Sequence, residues 1–435
     1  MKILLLGLGR ANIAVARYLH GRGDEIALYE EHRERLSPEA QSLIADQGIT
    51  EDTGGAGAYQ LAIASPGFPD HAPVLGRIRE RRIPVIDEIE FTYRELGSPS
   101  VIAVTGTNGK STTASLISQM LDQAGVRNFL GGNLAPGRPF SQALFEARYD
   151  QYVLEVSSFQ LTRTESFRPR VALLTNIRVD HLNWHLDLAE YAAAKARIFF
   201  RQEANDTAVL NYEDDAVRKL AAGLRAQILW FGHGVHDGAW VDGDIHFRAD
   251  RVTPAHDLPL LGDHNVMNIL AAVAATAAVG IPIAAIERGI RGFRPLPHRL
   301  EDLGVHAGIR YINNSMCTNE DAAIKSFRAL SGSKVIIAGG RGKGDAGRAY
   351  LDLLVREAKA CVLLGDNAGD IAAYFQSRGY SPYAVARTMT EAVVLGRSFA
   401  APGDIVMLNP GFASFGLFRD FQERGEAFKH AVIED

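Results

Sequence analysis

One short segment of the sequence carries a recognisable phosphate-binding chemistry. An apolar run, Val101–Val104, precedes it, and a stretch with helical periodicity, Ala114–Leu121, follows it. A glycine-rich turn between a strand and a helix directs backbone N–H groups at one point, which suits an anion. Lys110 can reach the terminal phosphates of a nucleoside triphosphate, and the Ser111 hydroxyl can hold Mg²⁺. The predicted triphosphate loop consists of Gly106, Thr107, Asn108, Gly109, Lys110, Ser111 and Thr112.

Three further polar residues lie close to predicted strand ends or in apolar surroundings. Glu155 falls inside the apolar run Tyr152–Val156, where a carboxylate needs a partner or a cation, and we interpret it as a Mg²⁺ ligand. His181 follows another predicted strand and could ligate a metal, contact a phosphate or be structural. Lys195 lies in an alanine-rich helix. It either extends to solvent or is buried with a lowered pKa and a reactive amine, including toward CO₂.

The last third of the chain offers two more sites for anions. Gly339-Gly-Arg-Gly-Lys-Gly344 follows a predicted strand and forms a second anion-binding turn with two cationic side chains. The segment Asn409–Phe415 also follows a strand and places Ser414 near a helix start, which suits a carboxylate. Together these patterns predict ATP on one domain and a small carboxylate-bearing molecule on another.

Composition limits the classes of protein that need consideration. The net charge of −5 disfavours a nucleic-acid binder, because no excess of cations is present to neutralise phosphates. Two cysteines, Cys317 and Cys361, cannot form a disulfide framework, and with no visible secretory signal we expect a reducing, cytoplasmic location. The apolar run Ile269–Ile286 is interrupted by Gly280 and Pro282, so we predict two helices rather than a membrane span.

A chain of 435 residues is too long for one core, and short apolar strands alternate with helical stretches along it. We predict an α/β fold with three domains: a Rossmann-like domain at 1–97, a central P-loop ATPase domain with a mostly parallel sheet at 98–297, and a Rossmann-like domain at 298–435. The predicted strands include Lys2–Leu6, Glu25–Tyr29, Leu61–Ala64, Pro84–Ile86, Tyr152–Val156, Val171–Asn176, Thr207–Asn211, Lys334–Ala338, Ala360–Leu364 and Asp404–Leu408.

The first strand leads into an incomplete dinucleotide fingerprint. Gly7 and Gly9 are present, but Asn12 stands at the third glycine position, and Glu30 follows the second strand where a ribose-binding carboxylate is expected. The missing glycine weakens an NAD assignment. A nucleotide-like ligand and a plain strand–helix turn both remain open.

The whole set of motifs resembles the Mur ligase family over essentially the full chain. The resemblance rests on the phosphate loop and on a series of segments that occur in the family's order. These are Gly131-Gly-Asn133, Leu154-Glu-Val-Ser-Ser-Phe-Gln-Leu161, Asp180-His-Leu-Asn-Trp-His185, Tyr191-Ala-Ala-Ala-Lys195, Gly262-Asp-His-Asn-Val-Met-Asn268, Leu296-Pro-His-Arg-Leu-Glu301 and Phe418-Arg-Asp-Phe-Gln-Glu-Arg-Gly425.

The resemblance implies an ATP-dependent, ADP-forming amide ligase that adds D-glutamate to UDP-N-acetylmuramoyl-L-alanine through an acyl phosphate. It implies Mg²⁺, with two ions, held by Ser111, Glu155, His181 and a carbamylated Lys195. It also implies a monomer that works on small molecules. The implied contacts are Asn268, Arg299 and Asn314 with ATP; Glu30, Ser65, Gly67, Asn133 and His181 with the UDP substrate; and Thr318, Lys343, Ser414 and Phe421 with the amino acid.

The sequence departs from the family pattern beside the expected amino-acid site. Asn314 stands where an acid is usual, Met316 where a lysine is usual, and Gly416 where an aspartate is usual. An apolar side chain cannot do the work of a lysine, so either Arg341 or Lys343 replaces it or the preferred amino acid differs. The alternatives are therefore a ligase for L-glutamate or another amino acid, a silent nucleotide-sugar binding protein, and, less favoured, an NAD oxidoreductase.

Overall fold

The computed structural model describes residues 1–52, 57–68, 70–134, 137–180, 184–260, 262–342 and 347–433. The chain forms two compact units. The first unit comprises residues 1–258 and 267–293, and the second comprises 259–266 and 294–435. The domain boundaries expected after residues 97 and 297 stay predictions. Among the described residues, no helix combines the length and the apolar character that crossing a bilayer requires.

The first sheet has five parallel strands in the order β3-β2-β1-β4-β5. Strands β1 and β4 are almost wholly buried because helices cover both faces. The predicted strands of this region are confirmed to within a residue. The elements are β1 (Lys2–Leu6), α1 (Arg10–Arg22), β2 (Glu25–Tyr29), α2 (Pro38–Asp46), β3 (Thr50–Glu51), β4 (Leu61–Ala64), α3 (Pro73–Glu80), β5 (Val85–Asp87) and α4 (Glu88–Glu95).

The second sheet has nine strands, in the order β14-β13-β12-β11-β10-β9-β6-β8-β7. It is parallel from β7 to β12, and an antiparallel extension, β12 to β14, ends one edge. The elements are β6 (Val101–Thr105), α5 (Lys110–Gln123), β7 (Asn128–Gly132), β8 (Gln151–Glu155), α6 (Ser158–Leu161), β9 (Val171–Leu174), α7 (Leu188–Ala196), β10 (Thr207–Asn211), α8 (Asp215–Ala221), β11 (Gln227–Phe231), β12 (Ala239–Val241), β13 (Asp244–Phe247), β14 (Asp250–Pro254), α9 (Asp263–Ala278) and α10 (Ile283–Arg291).

Among the described residues, the third sheet has six strands in the order β15-β16-β20-β17-β18-β19; its β15–β16 pair is antiparallel and its other strand pairs are parallel. An α/β fold with three mostly parallel sheets is therefore confirmed. The elements are β15 (Glu301–His306), β16 (Ile309–Asn313), α11 (Glu320–Arg328), β17 (Lys334–Ala338), α12 (Arg348–Glu357), β18 (Ala360–Leu363), α13 (Ala368–Ser377), β19 (Tyr383–Val385), α14 (Met389–Phe399), β20 (Ile405–Leu408) and α15 (Phe421–Ile433).

Strand order in the second sheet decides where its ligand edge lies. Strand β6 lies between β8 and β9, so the chain turns to opposite sides after it. In parallel sheets such a reversal leaves a crevice at the carboxyl ends of the strands. The loop after β6, the end of β8 and the loop after β9 must therefore meet at one place.

The buried Glu90 carboxylate joins α4, the last helix of the first sheet's region, to residues 165–167, which precede strand β9 of the second sheet. Glu90 of α4 is fully buried and accepts hydrogen bonds from the backbone N–H groups of Glu165, Ser166 and Phe167, at 2.8–3.0 Å. The Ser166 hydroxyl and the Arg94 guanidinium also donate to it, at 2.6 and 2.5 Å. Burial would raise the pKa of the Glu90 carboxyl, but these donors together hold it below its usual value.

We expect the Glu90→Gln variant to lower the free energy of unfolding by about 2 kcal/mol, because an amide nitrogen would face backbone N–H groups that keep no acceptor. Since the folded pKa is depressed, the wild-type advantage is full above the unfolded pKa of about 4 and is lost as pH falls through the lower folded pKa. Urea unfolding at a series of pH values measures both effects. The exposed Glu80→Gln variant is the control, and an equal loss there would contradict the assignment.

Candidate active site

The predicted triphosphate loop has the geometry that a bound phosphate chain needs. Gly106 has a φ of +145° and Gly109 a φ of +86°, and Lys110 begins α5 directly after Gly109. An added Cβ at Gly106 would collide with the Thr175 hydroxyl, and one at Gly109 with the Asn268 side-chain oxygen. Only glycine fits both positions, and the turn keeps the N-terminus of α5 open to an anion.

The loop after β9 supports the triphosphate loop from behind, a role that the sequence analysis did not assign. The Asn176 side-chain oxygen accepts from the Asn108 backbone N–H at 3.0 Å, and its amide donates to the Asn108 carbonyl at 3.0 Å. The Thr175 hydroxyl donates to the same carbonyl at 2.7 Å. Two polar residues directly after the buried strand Val171–Leu174 were the available signal, because strand ends at this edge meet the loop.

Glu155 lies where the sequence predicts a Mg²⁺ ligand. It ends β8, is 3% exposed, and accepts a hydrogen bond from the Ser111 hydroxyl. Its other oxygen accepts from the Asn133 side-chain amide at 3.2 Å. A buried carboxylate and a hydroxyl are the oxygen ligands that Mg²⁺ accepts, so the donor set fits the ion. Within the described ranges, however, no group of three or more His, Cys, Asp and Glu side chains is arranged as a complete metal site.

Lys195 is buried rather than extended to solvent. Its side chain in α7 is 2% exposed, its Nζ donates to the Gly106 carbonyl at 2.7 Å, and the Tyr191 ring lies 4.4 Å from that nitrogen. Lys110 Nζ donates to the same carbonyl at 3.0 Å. Burial, and then the nearby Lys110 charge, place the pKa of the Lys195 amine well below its usual value.

In the first sheet, the incomplete fingerprint proves to be a well-supported turn. Asn12 is 1% exposed and its amide donates to the Gly7 carbonyl at 2.8 Å. The Glu30 carboxylate accepts from the Leu8 backbone N–H at 3.2 Å and from the His32 backbone N–H at 3.1 Å. Ser65 directly follows β4, and an added Cβ on Gly7 would touch its side chain at 3.1 Å. The structure thus brings Glu30 and Ser65 to the same strand ends as the Gly7 turn, with Gly67 exposed two residues beyond.

Arg299 and Asn314, which are expected to contact ATP, lie in the second unit. Asn314 directly follows β16 and is 5% exposed. Its oxygen accepts from the Leu300 backbone N–H at 3.1 Å, and its amide donates to the Asn409 side chain at 2.8 Å. Asn314 therefore joins the Arg299–Leu300 turn to the segment after β20. An amide performs this task by accepting with its oxygen and donating with its nitrogen, whereas an ionised carboxylate could not donate to Asn409.

The expected amino-acid residues fall on three segments of the second unit. Thr318 is exposed, Ser414 is 5% exposed, and Phe421 begins α15. Met316 is half-buried and its backbone N–H donates to the His298 carbonyl at 3.1 Å. The exposed Arg341 bonds through its backbone N–H to the Ala413 carbonyl at 2.7 Å, beside Ser414. His181 and Lys343 lie outside the described residues, so their predicted roles stay predictions.

We expect the Gly109→Ala variant to weaken binding of a fluorescent ATP analogue by about tenfold or more, because both the positive φ and the Asn268 side chain oppose a Cβ. Gly125→Ala is the matched control, since Gly125 has a φ of +74° but an added Cβ would meet no described atom within 4 Å. Equal loss of nucleotide affinity in the two variants would show that backbone strain alone, and not the loop's close packing, is responsible.

Comparison with known sequences identifies close relatives over the full length. Residues 104–276 match the family described as the Mur ligase middle domain. The UDP-N-acetylmuramoylalanine–D-glutamate ligase of Pelotomaculum thermopropionicum is 38% identical over 448 aligned residues, which cover 99% of this chain and 97% of the relative. The enzyme of the same name from Koribacter versatilis is 37% identical, with 99% of this chain and 97% of the relative covered.

Solved structures agree at the level of the fold. The UDP-N-acetylmuramate–alanine ligase of Thermotoga maritima matches with a TM-score of 0.63 at 20% identity, covering 100% of this chain and 99% of that one. MurF from Acinetobacter baumannii matches with a TM-score of 0.64 at 19% identity, covering 100% of this chain and 93% of that one. Because the sequence relatives exceed 30% identity over nearly the whole chain, this protein belongs to the Mur ligase family.

Proposed function

We propose that this protein joins D-glutamate to UDP-N-acetylmuramoyl-L-alanine in the synthesis of peptidoglycan precursors, with ATP converted to ADP and phosphate. As a Mur ligase it is an ATP-dependent, ADP-forming ligase that uses Mg²⁺. The observation that carries the proposal is the Glu155 carboxylate. One of its oxygens bonds to Ser111 of the triphosphate loop and the other to Asn133 of the expected substrate loop. A single buried side chain thus connects the two loops between which a phosphoryl group would pass.

The proposed reaction has two steps. The alanine carboxylate of the substrate attacks the γ-phosphorus of ATP, which forms an acyl phosphate and releases ADP. The uncharged amine of glutamate then attacks the acyl carbon, an amide bond forms, and phosphate leaves with loss of one amine proton. Phosphoryl transfer of this kind depends on positioning and on neutralisation of charge rather than on covalent help from the protein.

The described residues divide this work between them. Backbone N–H groups of the triphosphate loop and Lys110 would hold the phosphate chain, because the loop and the start of α5 already converge there. Glu155 and Ser111 would hold Mg²⁺, which would supply positive charge beside the transferred group. Glu30, Ser65 and Gly67 would hold the uridine end, and Asn133 with His181 the muramoyl end. Asn268, Arg299 and Asn314 are proposed for ATP, and Thr318, Lys343, Ser414 and Phe421 for the amino acid.

We assign a second Mg²⁺ ion to Lys195 in a carbamylated form. The Lys195 amine is buried, lies next to the Lys110 cation and has a strongly lowered pKa, so its neutral form persists at lower pH than that of an ordinary lysine. A neutral amine attacks CO₂: the N–C bond forms, one amine proton is released, and an anionic carbamate results. That anion would form an attractive pair with the Lys110 cation, which neither the neutral nor the protonated amine can do, and its oxygens suit Mg²⁺.

Removal of CO₂ and bicarbonate from the buffers is therefore expected to lower turnover by about tenfold or more, because an oxygen ligand for the metal would be lost. Added bicarbonate should restore the activity, and ¹³C-labelled bicarbonate should give a carbamate carbon signal that is absent from Lys195→Met. A wild-type protein that shows neither the CO₂ dependence nor the signal would contradict the carbamate, while leaving the ligase proposal in place.

The amino acid itself is the part of the proposal with a specific competitor. Met316 stands where the family pattern has a lysine, so a ligase for L-glutamate or another amino acid is the second candidate. The full-length relatives with the D-glutamate ligase name support D-glutamate over the other amino acids.

We further propose that the protein acts as a monomer in the cytoplasm.

Phosphate release with ATP, Mg²⁺ and UDP-N-acetylmuramoyl-L-alanine tests the choice directly. We expect D-glutamate to stimulate phosphate release, and L-glutamate, D-glutamine and D-aspartate to stimulate it at least about tenfold less. The reason is that the two carboxylates of D-glutamate must each reach groups of the protein that are fixed in position. Stimulation by a different amino acid would move the specificity and implicate Met316. The Lys110→Ala variant should lose turnover, and normal release in that variant would reject the proposed mechanism. No release with any amino acid would favour a silent binding protein.

A further inference from the structure

The second unit buries an arginine for which the proposed reaction has so far given no role. Arg424, in α15, is 2% exposed. Its Nε donates to the Ser315 hydroxyl at 3.1 Å, its Nη2 to the Ser315 carbonyl at 2.8 Å, and its Nη1 to the Phe412 carbonyl at 3.1 Å. All three acceptors are uncharged. Within the described ranges, no carboxylate forms an ion pair with this guanidinium, so its positive charge has no partner of opposite sign.

Such a charge is expensive to bury. An ionised group away from water is normally paired with an opposite charge, because hydrogen bonds to neutral acceptors offset only part of the free energy lost on dehydration. Burial does lower the pKa of the Arg424 guanidinium, but only to about 10, so the side chain is a cation at neutral pH. The fold thus holds a fixed positive charge whose counter-ion has to come from elsewhere.

The hydrogen bonds of Arg424 also connect the three segments that carry the expected amino-acid residues. Ser315 lies three residues before Thr318, and Phe412 lies two residues before Ser414. The Ser315 hydroxyl in turn donates to the Phe421 carbonyl at 2.7 Å. One guanidinium therefore fixes the segment after β16, the segment after β20 and the start of α15 against one another.

The surroundings leave little room for this arrangement to relax. An added Cβ at Gly340 would lie 3.1 Å from Arg424 Nη1, and Ser414, Gly340 and Arg424 line the same small cavity. Nearby, Met316 offers no charge of its own. Arg424 is thus a buried cation that lines the same cavity as Ser414, in addition to the exposed Arg341 nearby, and its charge acts on any ligand that Ser414 contacts.

We propose that Arg424 is a positioning and specificity residue for the incoming amino acid. It fixes the Thr318, Ser414 and Phe421 segments, and its uncompensated charge favours an amino acid with a second carboxylate over the corresponding amide. The inference rests on the proposed function, in which those segments bind glutamate. It identifies the ligand class as a dicarboxylic amino acid, which binds as the missing counter-charge.

The test compares four variants in the phosphate-release assay. Each is assayed with D-glutamate and with D-glutamine, an isostere whose side chain is uncharged. Arg424→Gln removes the charge and the fork of donors, Arg424→Lys keeps the charge, and Ser315→Ala removes one acceptor while the charge stays. Arg419→Gln is the matched control, because it removes an arginine that is 84% exposed from the segment just before α15. Thermal unfolding of each variant monitors folding.

We expect Arg424→Gln to raise KM for D-glutamate about tenfold or more, with the KM values for ATP and the UDP substrate within about twofold of wild type. The preference for D-glutamate over D-glutamine, as a ratio of kcat/KM, should also fall about tenfold in this variant. Arg424→Lys and Ser315→Ala should raise KM for D-glutamate but keep the preference within about threefold of wild type. Arg419→Gln should behave as wild type.

An equal rise of all three KM values in Arg424→Gln, or an unchanged preference for D-glutamate, would overturn the inference and leave a purely structural arginine. If Arg424→Gln fails to fold, Arg424→Lys and Ser315→Ala still decide, because a rise in KM for the amino acid alone is required of both. Wild-type protein that is inactive with every amino acid would instead reject the proposed function, which is a separate outcome.

Discussion

Two lysine side chains share one carbonyl oxygen at the centre of the candidate active site, and this constraint organises its chemistry. Lys110 and Lys195 both donate to the Gly106 carbonyl, at 3.0 and 2.7 Å, and Lys195 is almost wholly buried. Burial and then the neighbouring Lys110 charge disfavour a second ammonium group in this poorly hydrated site, so the pKa of the Lys195 amine lies well below its usual value. The neutral, nucleophilic form of the Lys195 amine therefore persists at lower pH than that of an ordinary lysine.

The geometry behind this pair comes from the order of the strands. Because β6 lies between β8 and β9, Gly106, Glu155 and Thr175 all lie at the carboxyl ends of adjacent strands. The side chains of Thr175 and Asn176 support the glycine turn through their hydrogen bonds to Asn108, beside a backbone bond from the Thr107 N–H to the Asn176 carbonyl at 2.9 Å. Rigid support of this kind lets backbone donors face a ligand without reorganisation when it binds.

The sequence allowed much of this to be predicted, because local patterns determine it. Apolar runs located most of the parallel strands, although β3, β7, β11 and β19 were not predicted. The glycine-rich loop predicted a helix start at Lys110 and Ser111, and α5 begins there. The burial of Lys195 was left open, since a lysine among alanines is compatible with either a core or a surface helix face. The antiparallel strands β12 to β14 were missed, because Ala239–Val241 and Asp244–Phe247 are short and lie among glycine and aspartate.

Other features depend on contacts that are distant in sequence, and no local pattern contains them. The Asn314 amide joins Leu300 to Asn409, and its substitution for an acid is understandable only when both partners are known. Likewise, Arg424 belongs to an ordinary amphipathic helix by pattern, while its bonds to Ser315 and Phe412 reach segments 109 and 12 residues away. Long-range polar networks are therefore the part of a candidate site that the structure contributes.

The carboxylates of α4 also bear on how the chain can be dissected for study. Glu90 receives its backbone donors from Glu165, Ser166 and Phe167, and Glu88 accepts from the Ser141 backbone N–H. A recombinant fragment that stops near residue 97 would retain both acids and lose every one of those donors. The first sheet has its own core, yet an isolated fragment would expose both acids on its newly bared face, where water would have to replace the lost donors. A fragment meant to keep these hydrogen bonds would therefore also have to include residues 141–167.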